Sequence, residues 1–208
     1  MAPSLQSPQT PHRNRRPTPL RPRSQPHGAI QLASVGYMLP FSILILFAQE
    51  RLGLNGTGYG LLLAFSALGG LLGSFLASRL RTRLGYRWTI VSSLLLGALT
   101  LGGLALTTNP IVAAVLLALY ILHAVVWNIC SLSLRQRLVP DDLLGRVGGG
   151  ARVLGLLGLA AGSALGGILG VIDLAIPVAV GAVVFVVCCL VAAITLPRGL
   201  TPDAQTAR

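Results

Sequence analysis

The sequence contains no lysine and only five acidic residues, so all 16 basic side chains are arginine and the formal net charge is +11. A nucleic-acid-binding domain of this charge gathers its basic residues into one patch. Here the arginines fall into clusters that long apolar runs separate, with few aromatic residues among them. We therefore expect no nucleic-acid partner.

Residue types that carry catalysis are also scarce. Cysteine occurs three times, always inside an apolar run, with the spacing of neither a metal site nor a disulfide framework. Two of the three histidines lie in the first 28 residues. The glycines at 148–150 are not followed by the Lys-Ser/Thr pair of a phosphate-binding loop. We expect no enzymatic activity, no bound metal and no cofactor.

Apolar residues dominate the sequence instead. Hydrophobic residues make up 53% of the chain, charged residues make up 10%, and the mean hydropathy is +0.77. A soluble domain of this length cannot bury so much apolar surface. The sequence predicts an all-α membrane protein with a bundle of six transmembrane helices, each near the roughly 20 residues that span a bilayer. The predicted spans are 29–49, 59–78, 88–107, 111–133, 147–172 and 174–196.

The chain divides into three predicted parts. Residues 1–28 are rich in Pro and Arg and read as a disordered cytoplasmic tail, residues 29–197 as the six-helix transmembrane domain, and residues 198–208 as a short cytoplasmic tail. Arginine is concentrated in the tail and in two loops, with only Arg51 on the other side. The positive-inside rule therefore predicts a multi-pass protein of the cell (plasma or inner) membrane with both termini in the cytoplasm.

A polar loop at residues 135–147 separates two of the apolar runs. Pro140 cannot continue the preceding helix, while Asp141 and Asp142 can cap the next one and favour its N-terminal dipole. The other loop residues of interest are Arg135, Gly145 and Arg146. The stretch 134–147 resembles the loop between helices ten and eleven in exporters of the major facilitator superfamily, especially the branch of drug, macrolide and siderophore exporters. The resemblance extends over residues 29–197.

A second arginine-rich loop, residues 79–87, is similar to the second-half copy of the cytoplasmic signature loop of the same family. The positions in register are Leu80, Arg83, Gly85 and Arg87. Thr82 stands where the family has Asp, and Ser78 stands where it has the first Gly. We therefore assign this loop only a topological and packing role.

Two of the predicted spans carry glycine at four-residue spacing, which lets helices approach closely. These glycines are Gly69 and Gly73 in the second span and Gly158, Gly162, Gly166 and Gly170 in the fifth. The resemblance implies that the second and fifth helices of each half meet the other half, that the first and fourth line the substrate cavity, and that the third and sixth face lipid. The expected partners are the lipid bilayer, a small-molecule substrate, and either a missing N-terminal six-helix half or a second copy in a homodimer.

Polar side chains within the spans are the candidate substrate-cavity residues, because they are costly in a bilayer. They are His123, Trp127 and Asn128 in the fourth span, and Gln31 and Tyr37 in the first. His123 can take up a proton, and Trp127 can form an aromatic wall for an amphiphilic or cationic substrate. Alternatively, His123 is a neutral histidine hydrogen-bonded to a neighbouring helix, and Trp127 packs at the membrane interface.

The family resemblance implies a secondary active transporter that exports hydrophobic or amphiphilic small molecules, with this chain as its second six-helix half. The alternative is a protein that does not transport. It would be a truncated remnant, or a six-helix subunit that assembles with a partner through its glycine-rich helix faces.

Overall fold

The fold is that of a computed structural model, which describes residues 27–138 and 141–195. These residues form helices joined by short connections. The elements are α1 (His27–Phe41), α2 (Leu44–Leu46), a π-helical turn (Phe47–Arg51), α3 (Gly56–Leu106), α4 (Pro110–Leu138), α5 (Asp141–Gly170) and α6 (Ala175–Thr195). Five stretches are long and apolar enough to cross a membrane: 32–51, 56–106, 110–134, 143–170 and 175–195.

Five stretches rather than six result because α3 runs through two of the predicted spans. It contains 51 residues, or about 76 Å at a rise of about 1.5 Å per residue, more than twice the thickness of a bilayer core. Its only non-helical residue is Gly85, with φ 74° and ψ 169°, a conformation that glycine adopts readily. The loop predicted at residues 79–87 is therefore helical on both sides of Gly85.

The two segments of α3 run in opposite directions along α4. We call residues 56–84 the first arm and residues 86–106 the second arm. Along the first arm, later residues meet later residues of α4, whereas along the second arm the order is reversed. The chain therefore turns back at Gly85. The contacts that establish this are Gly69 with Ala118, Gly73 with Leu122, Gly97 with His123, and Gly103 with Leu116.

Helix α1 ends at Phe41, one residue after Pro40. Proline has no N–H to donate to the carbonyl four residues earlier, so the helix cannot continue unbroken. The backbone N–H of Ser42 donates to the carbonyl of Met38 at 3.0 Å, and its hydroxyl donates to that of Leu39 at 2.9 Å. The chain then resumes as α2 and the π-helical turn, so the first span is a broken helix.

Polar contacts join helix termini at each of the two ends of the bundle. At one end, Arg51 pairs with Asp173 at 3.5 Å and donates to the carbonyl of Ala105 at 3.0 Å. At the other end, Arg81 donates to the hydroxyl of Ser133 at 3.4 Å, and Arg87 donates to a carbonyl in the last turn of α6. This grouping separates Arg51 from the other contacting arginines. The orientation of the two ends relative to the cytoplasm remains a prediction.

Candidate functional site

A cavity of about 370 Å³ lies between α1 and α4, with one residue each from α5 and α6 in its wall. Ligand pockets in proteins span roughly 300–1,000 Å³, so this cavity has the size of a small-ligand site. Its lining residues are Ala33, Ser34, Tyr37, Ile121, His123, Ala124, Val125, Trp127, Asn128, Leu159 and Phe185.

Four of the five residues predicted for the cavity line it: Tyr37, His123, Trp127 and Asn128. On α4, Trp127 follows His123 by four residues, which places these two side chains on one face of the helix, and Asn128 adjoins Trp127. Gln31, the fifth, lies within α1, but its side chain falls outside the described residues. Whether the cavity binds a substrate remains a prediction.

His123 is a core residue as much as a wall residue, because only 1% of it is exposed. Its ring lies 4.8 Å from that of Tyr120 and meets Phe185 edge-on at 5.0 Å. On the second arm, Gly97 lies directly against the imidazole, since a Cβ placed there would be 2.5 Å from Nε2. The Nδ1 atom makes no hydrogen bond to another described helix. Nδ1 therefore does not support the alternative in which His123 is hydrogen-bonded to a neighbouring helix.

An aromatic cluster backs the cavity wall. The ring of Tyr37 stacks on Phe41 at 5.0 Å and on Tyr120 at 5.7 Å, with interplanar angles of 27° and 15°. The hydroxyl of Tyr120 donates to the backbone carbonyl of Tyr37 at 3.2 Å. This bond joins α4 to α1.

The sequence analysis did not identify three aromatic residues at this site: Phe41, Tyr120, and Phe185, whose ring contacts Tyr120 and His123. Tyr120 precedes His123 by three residues, so the helical spacing that links His123 to Trp127 is the signal by which it could be found. Phe185 carries no such signal, because an aromatic residue in an apolar helix is equally suited to a lipid-facing position.

The cavity wall is uncharged. Among the lining residues that the structure describes, none is Asp, Glu, Lys or Arg. Ser133, which binds Arg81, lies about 15 Å along α4 from His123, and Ala105, which binds Arg51, lies about 12 Å along α3 from Gly97, at about 1.5 Å per residue. The contacting arginines therefore lie away from this wall.

The glycines at four-residue spacing make contacts within this chain. Gly69 and Gly73 lie against the backbone of α4. Gly162 and Gly166 lie against α1, Gly170 lies against Ile43 just after α1, and Gly158 is buried. These five contacts differ from the predicted use of the ridges as an interface for another half. The faces of the first arm and α5 that stay exposed carry large apolar residues, among them Leu61, Leu68, Phe75, Leu156 and Ile168.

The residues of the two loop motifs are only partly described. Gly85 forms the break in α3, Arg87 binds the end of α6, and Arg83 is exposed. On α5, Gly145 and Arg146 are exposed, and a Cβ at Gly145 would meet nothing within 4 Å. Pro140 and the side chains of Arg135, Asp141 and Asp142 lie outside the described residues, although α5 does begin at Asp141.

Within residues 27–138 and 141–195, no group of three or more His, Cys, Asp or Glu side chains is placed to hold a metal ion. The three cysteines are separate thiols. A comparison with protein families matches residues 29–207 to the model described as Major Facilitator Superfamily. A comparison with curated proteins gives no match.

Proposed function

The chain belongs to the major facilitator superfamily, a family of membrane transporters rather than enzymes, and we propose that it exports hydrophobic or amphiphilic small molecules. The observation that carries the proposal is the cavity between α1 and α4, with Tyr37, His123, Trp127 and Asn128 in its wall. Transporters of this kind bind substrate near the bilayer midplane and expose the site to each side in turn.

We further propose that the chain crosses the membrane six times, with each arm of α3 as one span. The opposite directions of the two arms along α4 support this. With six crossings both termini lie on one side, and the arginine distribution favours the cytoplasm of the plasma or inner membrane.

The internal pairing of helices supports an origin as one half of a two-bundle transporter. The resemblance of the loops at 79–87 and 134–147 is the basis for proposing the C-terminal half of a drug, macrolide or siderophore exporter. The first arm packs on α4 through glycine, and α5 packs on α1 in the same way. The first pair joins spans two and four, and the second joins spans five and one. If spans one to three are exchanged with spans four to six, the first pair becomes the second, as expected for an inverted repeat. The partner that completes the cavity is then an N-terminal half or a second copy.

The proposal is tested by dye export from inside-out or reconstituted vesicles at constant protein level. Trp127→Phe and Asn128→Ala should each lower export severalfold, because both side chains line the cavity. Trp88→Phe is the matched control. Trp88 lies on α3, is 60% exposed and is not among the residues that line the cavity. Full export by both cavity variants would remove this cavity from the transport path.

The size of the native product tests whether a partner bundle is covalently attached. An antibody against residues 201–208 should detect a band near twice 21.6 kDa in native membranes if the chain is one half of a longer exporter. A band at 21.6 kDa would require a separate partner or a second copy. If that species also exports nothing, the alternative of a non-transporting six-helix subunit takes the place of the proposal.

A further inference from the structure

We infer that the first arm binds an anionic phospholipid, with the phosphate held between Arg79 and Arg83 and the acyl chains lying along an apolar stripe on the same face of the helix. The inference concerns the lipid around the bundle and not the cavity, so it does not rest on the proposed function. It also does not depend on what completes the cavity, because the stripe points away from it.

The four arginines of the loop at residues 79–87 divide into two pairs. Arg81 and Arg87 turn inward, where they donate to a serine hydroxyl on α4 and to a carbonyl in the last turn of α6. Arg79 and Arg83 are exposed, and neither side chain makes a hydrogen bond or an ion pair with another residue that the structure describes. They are one helical turn apart, about 6 Å along the axis. At this spacing both guanidinium groups can donate to the oxygens of one phosphate.

The exposed pair lies at the level of lipid phosphates. Helix α3 begins at Gly56, close in sequence to Arg51 at the opposite end of the bundle. At about 1.5 Å per residue, Arg79 and Arg83 lie about 35 and 40 Å along the arm from Gly56. The hydrocarbon core of a bilayer is about 30 Å thick, and the headgroup regions extend it to about 40–45 Å. Both guanidinium groups therefore reach the headgroup region at this end of the arm.

The described carboxylates do not neutralise this pair. Glu50 and Asp173 are the two acidic residues whose side chains the structure describes, and both lie at the end of the bundle where Arg51 pairs with Asp173. An anion from outside the described chain is therefore the complementary partner for the pair.

Large apolar residues form a stripe that leads to the arginine pair and points away from the cavity. The opposite side of the arm is marked by Gly70, which packs against the side chains of Ile121 and Val125 in the cavity wall. At about 100° per residue, every member of the stripe lies within about 40° of the direction opposite to Gly70. We call this face the outward stripe, and its apolar members are 45–72% exposed. It consists of Leu61, Phe65, Leu68, Leu72, Phe75, Arg79 and Arg83.

An anionic phospholipid matches the outward stripe in length and charge. From Phe65 to Phe75 the stripe extends about 15 Å, which is half of the hydrocarbon core and so the length available to acyl chains in one leaflet. A zwitterionic phospholipid carries its own ammonium group, which the two guanidinium groups repel. A lipid with a net negative charge is attracted about fivefold more strongly for each arginine near the membrane surface.

A single indole on the outward stripe reports which lipid lies beside it. The chain has two tryptophans, so Phe75→Trp combined with Trp88→Phe and Trp127→Phe leaves one indole, a helical turn from Arg79. The protein is reconstituted in vesicles of equal parts phosphatidylglycerol and phosphatidylcholine. In matched samples one lipid or the other carries dibrominated acyl chains, which quench an adjacent indole. Leu61→Trp in the same background is the matched reporter, about 21 Å away along the stripe.

We expect quenching at position 75 to favour brominated phosphatidylglycerol over brominated phosphatidylcholine about threefold or more, and quenching at position 61 to favour neither. Arg79→Gln combined with Arg83→Gln should abolish the preference. Arg152→Gln, which removes an exposed arginine from α5, should preserve it.

Three results overturn the inference. Equal quenching by the two lipids at position 75 shows that the site does not select an anion. A preference that survives the loss of both arginines shows that the pair does not bind the headgroup. Quenching by neither lipid shows that protein, such as a second bundle, covers the stripe. Dye export by the natural chain is measured separately, so the proposed function stands or falls independently of these results.

Discussion

Two pairs of helices pack through glycine, but the helix that the glycines contact is continuous in one pair and broken in the other. In one pair the first arm lies on α4 through Gly69 and Gly73. In the other, α5 lies on α1 through Gly162 and Gly166. Each pair is parallel, and each brings glycine against backbone carbonyls of its neighbour. The neighbour is uninterrupted in the first pair, since α4 runs from Pro110 to Leu138, but α1 ends at Phe41 beside the contact.

The difference indicates which pair can adjust. A continuous helix holds its carbonyls in place through its own hydrogen bonds, so an added side chain can be accommodated only by moving the whole helix. Near the break in α1, part of the contact surface is the hydroxyl of Ser42, which is a rotatable group. We expect the α5 and α1 pair to tolerate added volume better than the first arm and α4.

The largest effect is expected for Gly69→Leu. A Cβ at this position would overlap the backbone carbonyl oxygen of Ala118, which has no room to move within α4. The cost should exceed the roughly 1–3 kcal/mol of ordinary overpacking. Size-exclusion profiles of the detergent-solubilised protein should show loss of the folded peak. Gly60→Leu, on the same arm with nothing within 4 Å, should keep it; loss of both peaks would contradict the packing explanation.

A smaller effect is expected for Gly166→Ala. Its Cβ would overlap the Ser42 hydroxyl and lie 2.6 Å from the carbonyl of Leu39. Since the hydroxyl can be removed, Ser42→Ala should recover part of the roughly 1–3 kcal/mol lost. Thermal unfolding in detergent measures the single and double variants beside Gly69→Ala. If Gly166→Ala proves the more damaging of the two alanine variants, the broken helix is not the adaptable partner.

The sequence predicted the glycine faces but not their neighbours. A four-residue spacing defines a face of a helix but does not indicate which helix covers it. The family resemblance predicted that Gly162 and Gly166 meet another half, whereas they contact α1. Polar residues in apolar spans were easier to place, and four of the five lie together at the cavity. The break at Gly85 sits inside the predicted loop, yet the flanking residues are helical, because an arginine-rich stretch at a membrane boundary can continue a helix.

A third contact sharpens the comparison, because its glycine meets a side chain instead of a backbone. Gly97→Ala on the second arm places its Cβ 2.5 Å from Nε2 of His123. The imidazole is held between Tyr120 and Phe185 and cannot turn away freely. We expect a loss of about 1–3 kcal/mol. His123→Ala combined with Gly97→Ala should destabilise less than the sum of the two, measured as a double-mutant cycle. Strict additivity would mean that the two residues do not share this contact.

The smallest effect is expected for Gly167→Leu, next to Gly166 but on the open face of α5. A Cβ at Gly167 meets nothing within 4 Å, so the stability of the isolated chain should change by less than about 0.5 kcal/mol. The same variant then distinguishes lipid from a partner bundle on that face. If lipid covers it, cross-linking between tagged and untagged copies and the yield of any native complex stay unchanged. If another bundle covers it, the added leucine separates the two backbones and the yield falls while the isolated chain remains folded. Destabilisation of the isolated chain itself would instead mean that α5 packs more closely within its own bundle than these contacts indicate.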